Sequence, residues 1–314
     1  MSLSGPSCRA RYTGVAVAFA AVLVVGAAAC AAPSPAGAVA SPAPNIVPAP
    51  SSPVPLAKDV PVPADLAGFF GGDLSAAQHG AFGQDRARVL PINDPVLGPT
   101  LRVDYPAGSA SNRSANSDGS AYGGAQQYLQ LRGGPAEALH LRYYVRFPAG
   151  FDFVKGGKLP GLYGGSAVSG GRIPDGTDGF STRYMWRRSG AGEVYAYLPS
   201  STSFGTSLGR GSWSFTPGQW VCIEQAVALN TPGRADGSVT VWVDGQPVFA
   251  QAAMTYRSTD QLQIDGVFFS TFFGGGDSSW ASPTDQYADF AAFATSAHYI
   301  GPLPPAPVSA VPTP

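Results

Sequence analysis

Cysteine, histidine, glutamate and lysine are all scarce in this 314-residue chain, and each scarcity closes a chemical route. The 3 cysteines are Cys8, Cys30 and Cys222, and the first two fall in the amino-terminal segment, so no disulfide can staple the rest. Stability must come from a large apolar core. Cys222, in WVCIEQAVAL, reads as a small buried hydrophobe rather than a nucleophile. The 3 histidines, His79, His140 and His298, lie in unrelated segments without metal-ligand spacing. Glu137, Glu193 and Glu224 are the only glutamates, and none pairs in sequence with a nearby acid, whereas a glycosidase needs two carboxylates about 5 to 10 Å apart. Asp277, Asp285 and Asp289 read as turn aspartates around Gly274 to Gly276 rather than calcium ligands. No metal and no cofactor are expected. A net charge of -1 excludes a nucleic-acid footprint on a global scale, but leaves room for a polyanion where positive charge is concentrated.

What is present is glycine, proline and short apolar alternation, with 40 Gly and 30 Pro, which argues against a helical protein. Residues 1–32 read as an export signal: Arg9 and Arg11 form the basic end, Thr13 to Ala29 the apolar run, and small residues lead into Cys30. Gly26-Ala-Ala-Ala-Cys30 is similar to a bacterial lipobox, with Ala27 where leucine is usual. Two outcomes stay open, lipid attachment at Cys30 or free secretion. Residues 33–65 are Ala, Pro, Ser and Val without hydrophobic periodicity, an extended linker. Residues 66–303 have globular composition, and 304–314 return to linker chemistry. A monomer is expected, touching membrane only through the lipid.

Within 66–303 several segments alternate with period two. In LHLRYYVRF, Leu139, Leu141, Tyr143, Val145 and Phe147 share one face, and His140, Arg142, Tyr144 and Arg146 the other. VTVWVDGQPV predicts a strand entering a tight Asp244-Gly245 turn. Further strands are predicted at Leu101–Tyr105, Val221–Leu229, Leu262–Phe273 and Tyr287–Thr295, with short helices only at Asp65–Phe70 and Ser75–His79. The fold class is all-β, an antiparallel β-sandwich of jelly-roll type with a concave cleft sheet.

The chemistry concentrates between Phe151 and Pro199. GFSTRYMWRRSGAGEVYAYLP breaks at Arg188 to Gly192 into a hairpin, with Thr182, Tyr184, Trp186, Val194, Ala196 and Leu198 on a core face. Ser181, Arg183, Met185, Arg187, Glu193, Tyr195 and Tyr197 fall on the opposite face. A turn centred on Gly190 predicts Arg183 opposite Tyr197 and Met185 opposite Tyr195. Lysines sharpen the picture, because beyond Lys58 in the linker the chain has only Lys155 and Lys158, both in FVKGGKLPG.

KGGKLPGLYGG, GFSTRYMWRR, GEVYAYLP, NTPGRADG and VWVDGQPV together resemble polysaccharide lyase family 14, the alginate and glucuronan lyase group. The resemblance runs from about Leu101 to Phe293. It implies a β-jelly roll with a cleft on its concave sheet, and places the family's functional lysine on Lys158, its serine and arginine on Ser181 and Arg183, and its tyrosine pair on Tyr195 and Tyr197. Gln126, Tyr144 and Arg187 are expected to contact substrate. The expected partner is an acidic polysaccharide.

Elimination across C4 and C5 of a uronate needs charge stabilised on the C6 carboxylate, the C5 proton removed and the O4 leaving group protonated. Arg183 or Lys158 suits the first need. Tyr195 and Tyr197 suit the other two, either one proton each or both on one tyrosine, with Lys158 a further candidate for proton transfer; Tyr197 is preferred as proton carrier with Tyr195 supporting it. Ser181 has no accompanying nucleophile signature and is expected to bind substrate or orient Arg183. The alternative is a non-catalytic carbohydrate-binding protein that stacks sugars on Tyr144, Trp186 or Trp280 and anchors a carboxylate on Arg183.

Overall fold

Alternation in LHLRYYVRF becomes a strand because one of its faces is wholly apolar. Leu139, Leu141, Tyr143, Val145 and Phe147 are all buried in one core, which both large sheets share. The computed structural model describes residues 67–304, apart from 71–72, 78–79, 112–113, 115 and 117. The export signal, Cys30, the linker, His79 and the tail beyond residue 304 lie outside the described residues.

Two antiparallel sheets of 7 strands each pack face to face. The first sheet runs, in spatial order, β1 (Leu74–Ala76), β6 (Ala125–Leu131), β15 (Gly266–Phe273), β8 (Gly156–Gly165), β9 (Gly179–Arg187), β10 (Gly192–Tyr197) and β11 (Thr206–Leu208). In the second the order is β14 (Gln246–Met254), β13 (Gly237–Val243), β12 (Trp220–Ala228), β7 (Ala138–Arg146), β16 (Gln286–Ser296), β3 (Thr100–Tyr105) and β2 (Ala87–Val89). A short parallel pair, β4 (Ser109–Ala110) and β5 (Ala121–Tyr122), stands apart. This is the predicted all-β sandwich.

Aromatic side chains fill the space between the sheets. Trp186 and Phe273 meet edge to face at 5.3 Å, and Phe147 packs on Trp186 at the same distance. A polar bridge crosses the core between β9 and β12: Thr182 Oγ1 donates to Gln225 Oε1 at 2.8 Å, and Gln225 Nε2 returns a bond to the Thr182 carbonyl at 3.1 Å. Both residues are fully buried, so each polar group is satisfied by the other and β9 is held in register over β12.

Some boundaries differ from the sequence reading. The Asp244-Gly245 turn forms as expected, with positive φ at both residues (49° and 80°). Ser75–His79, predicted as a helix, begins instead within the edge strand β1, because Leu74 is buried in the core and Leu74 to Ala76 pair with Leu131 to Leu129 of β6. The strand predicted from Leu262 starts at Gly266; before it, Ile264 makes an isolated bridge to Ala136.

The hairpin register is also corrected. Tyr195 stands opposite Arg183, Tyr197 opposite Ser181 and Glu193 opposite Met185, not the pairs expected from a turn centred on Gly190. The turn is a 3-10 segment over Arg188–Gly190 with Ser189 at φ 59°, so its centre falls on Ser189. Moving the centre by one residue moves each pairing by two, which leaves every side chain on its expected face.

Candidate active site

The outward face of the first sheet carries the cleft. β9 and β10 contribute Arg183, Met185, Arg187, Tyr195 and Tyr197, and β8 contributes Lys158, to the wall of a cavity of about 480 Å³. Among the described residues that line it, none is an aspartate or glutamate.

Lys158 reaches this face through a bulge. Its partner on β9 is Met185, and Leu159 pairs with Tyr184, but Gly161, not Pro160, pairs with Arg183. Pro160 is therefore the extra residue, a position that suits a side chain with no N–H to give the ladder. In plain alternation residues 158 and 161 would lie on opposite faces; with Pro160 set outside the count, both stand opposite the cleft-facing Met185 and Arg183. The Pro160 carbonyl accepts a 3.0 Å bond from the buried Tyr143 hydroxyl, tying the bulge to the second sheet. A side chain at Gly157 would collide with the Trp186 indole at 2.0 Å, which accounts for glycine beside the lysine.

The amine of Lys158 lies 3.9 Å from the centroid of the Tyr195 ring and 2.7 Å from the Met185 sulfur. Burial, and then the positive charges of Arg183 and Arg187, hold it well below the usual lysine range, with Glu193 opposing. Arg183 is 3% exposed, donates from Nη1 to Ser270 Oγ at 2.9 Å and lies over Phe268 at 4.3 Å. Desolvation lowers its pKa to about 10. Arg187 is fixed by the buried Glu193: Nε and Nη2 both meet Oε1, at 2.8 and 2.5 Å. Glu193 is thus the counter-charge beneath a cationic floor.

The two tyrosines differ. Their rings meet edge to face at 5.7 Å. Burial raises Tyr195 to about 12, so it stays a phenol at neutral pH. The Tyr197 oxygen accepts a 3.0 Å hydrogen bond from the Gly171 amide. Ser181, opposite Tyr197 in the ladder, is fully buried and donates to the Val168 carbonyl at 2.7 Å. It does not line the cavity. Its hydroxyl ties down the loop that carries Gly171.

Of the expected substrate contacts, Gln126 on β6 and Arg187 line the cleft, and Gln126 also donates to the Gly80 carbonyl at 2.7 Å. Tyr144 does not. Strand parity put it on an outward face, but β7 belongs to the second sheet, where its hydroxyl accepts from the Leu303 amide at 2.8 Å and its ring packs with Cys222 and Leu97. Trp186, a platform under the binding-protein alternative, is fully buried in the core, whereas Trp280 does line the cleft. Burial also pushes the Cys222 thiol up, to about 11. His140 sits against Glu224 at 2.7 Å on the second sheet, and Asp289 is buried between Arg102 and Arg146. Sequence reasoning passed over Met185, Ser270, the 168–171 loop and the role of Glu193. Met185 and Glu193 left a signal, both placed by alternation on the face of Arg183 and Tyr195.

A β-sandwich with cations and tyrosines in a cleft on one outer sheet face has the charge to suit an acidic ligand. Residues 94–293 match the sequence profile described as polysaccharide lyase 14. A crystal structure of a marine PL-14 alginate lyase from Aplysia kurodai is 32% identical, with a TM-score of 0.62, over 74% of this chain and 92% of that one. Alginate lyase Aly36B is 25% identical with a TM-score of 0.57, over 70% of this chain and 86% of that one. Alginate lyase vAL-1 from Chlorella virus shares the fold at 23% identity and a TM-score of 0.61, over 73% of this chain and 95% of that one. No curated protein matches. The chain belongs to polysaccharide lyase family 14 and is a polysaccharide lyase.

Proposed function

We propose that this lyase cleaves a uronic-acid polymer, alginate or glucuronan, by β-elimination, leaving an unsaturated uronate end. The observation that carries this is the composition of the cleft: Lys158, Arg183 and Arg187 with Tyr195 and Tyr197, and no carboxylate among the described lining residues. That set cannot supply the acid and base of a glycosidase, but it matches the three needs of elimination. Aly36B, in a variant form, has been solved with an alginate trisaccharide, which supports the same substrate class.

In this reading Arg183 and Lys158 face the C6 carboxylate and stabilise charge as the C5–H bond breaks. Tyr197 takes the C5 proton. A free phenol would need its pKa lowered by about 3 units, worth about 4 kcal/mol, to act as base at neutral pH. The Gly171 amide points at the Tyr197 oxygen that receives the proton, at 3.0 Å. The C5–H electron pair becomes the C4–C5 double bond and the C4–O4 bond breaks. Tyr195, kept protonated by burial, gives its proton to O4. No co-reactant is consumed. We further propose that the protein is exported, as a monomer, with Cys30 either lipidated or beside the cleavage site.

The test is incubation of the purified chain with polymannuronate, polyguluronate and glucuronan while following ultraviolet absorbance of the new double bond. Absorbance on one of them supports the proposal. Binding without absorbance on any would make the protein a carbohydrate binder.

A further inference from the structure

The cations of the cleft alternate with aromatic rings in one series that extends past the reacting centre. Lys158 and Arg187 both lie over the Tyr195 ring, at 3.9 and 5.3 Å from its centroid. Arg187 also lies 5.9 Å from the Trp280 ring, and Lys155 lies 5.9 Å from that same ring. The order is therefore Lys158, Tyr195, Arg187, Trp280, Lys155.

The outer half of this series is built rigidly. Trp280 rests against Gly275, where an added side chain would come within 2.1 Å of the indole, and the Ser111 hydroxyl holds the Gly275 carbonyl at 3.1 Å. Lys155 Nζ is positioned by a 2.5 Å bond to Ser279 Oγ, with Asp277 the acid near it at the exposed rim. Glu193 occupies Nε and Nη2 of Arg187, so the guanidinium is oriented before any ligand arrives. A half-buried indole between two fixed cations offers an apolar face for a sugar ring and charge for a carboxylate.

We propose that Arg187, Trp280 and Lys155 form a second uronate subsite, so that the cleft reads two consecutive acidic sugars, one at Lys158 and Arg183 and the next here. This rests on the reading of the cleft as a uronan site. A polymer with one carboxylate per sugar would meet a cation at each step, while a neutral polysaccharide would not.

The test compares Lys155→Ala, Lys155→Arg and Trp280→Ala with the unaltered chain on oligouronates of increasing length, by ultraviolet absorbance. Lys155→Ala should raise KM about fivefold, the size of a partly exposed ion pair. Trp280→Ala should raise it about tenfold. The loss should fall on KM rather than kcat, grow with oligomer length, and be recovered by Lys155→Arg. KM within twofold of the unaltered chain in both alanine variants overturns the subsite, as does a fall confined to kcat. Thermal midpoints of the variants identify any that fail to fold. Should the unaltered chain cleave no uronan, the functional reading fails on its own; calorimetry with alginate oligosaccharides then tests the subsite, with weaker binding in the variants supporting it and equal binding overturning it.

Discussion

Replacing Tyr197 with phenylalanine removes one oxygen and separates chemistry from architecture. The ring keeps its edge-to-face contact with Tyr195, so packing is preserved. What the fold loses is the acceptor for the Gly171 amide, worth about 1 kcal/mol, or about 2 to 4 °C in Tm for a body of this size. What the reaction loses is a positioned proton acceptor, typically worth about 10²- to 10⁴-fold in rate, which corresponds to about 2.7 to 5.4 kcal/mol of barrier. The activity effect should exceed the stability effect severalfold. Steady-state cleavage followed by ultraviolet absorbance gives kcat and KM, and scanning calorimetry gives Tm. Tyr197→Phe retaining more than a third of kcat/KM would refute the assignment. A larger loss in Tyr195→Phe than in Tyr197→Phe would exchange the two roles.

Other expectations follow from the same geometry. Ser181→Ala leaves the buried Val168 carbonyl without its donor, which should cost about 1 to 3 kcal/mol and lower kcat through the Gly171 loop; raised KM at unchanged kcat would instead make Ser181 a substrate ligand. Glu193→Gln strips the counter-charge from buried Arg187 and should cost about 3 to 5 kcal/mol in urea denaturation, and a cost below about 1 kcal/mol would show the pair to be unimportant. Lys158 has a depressed pKa when folded, so between that value and the ordinary lysine value the unfolded chain binds more protons and stability rises with pH. Lys158→Met should therefore abolish cleavage yet raise Tm at neutral pH and flatten that rise, and calorimetry showing a lower Tm would contradict it.

How much was legible follows the rules of side-chain parity. Along β9 and β10 the two faces could be read directly, because alternation survives a turn misplaced by one residue; the cross-strand partners could not, because they depend on the turn's own geometry at Ser189. Parity also gave Tyr144 its outward face, but nothing local says to which sheet a strand belongs. That is decided by long-range pairing. Lys158 was identified from its KLPG context alone, since the bulge at Pro160 breaks the very period by which a face would be inferred. Ser181 shows the same limit in another form: its position on the strand is visible, but the loop lying over it is not.

That bulge has a consequence for how the site can vary. β8 is out of phase with itself, its lysine end and its glycine end each matched to neighbours by a different count, and Pro160 is the residue that absorbs the mismatch. Deleting it would leave Lys158 and Gly161 two places apart and still opposite Met185 and Arg183, so the lysine would keep its face; what would go is the carbonyl that Tyr143 holds from the second sheet. The alternation of β8 alone can therefore carry the amine to the cleft, and the extra residue serves the joint between the two sheets.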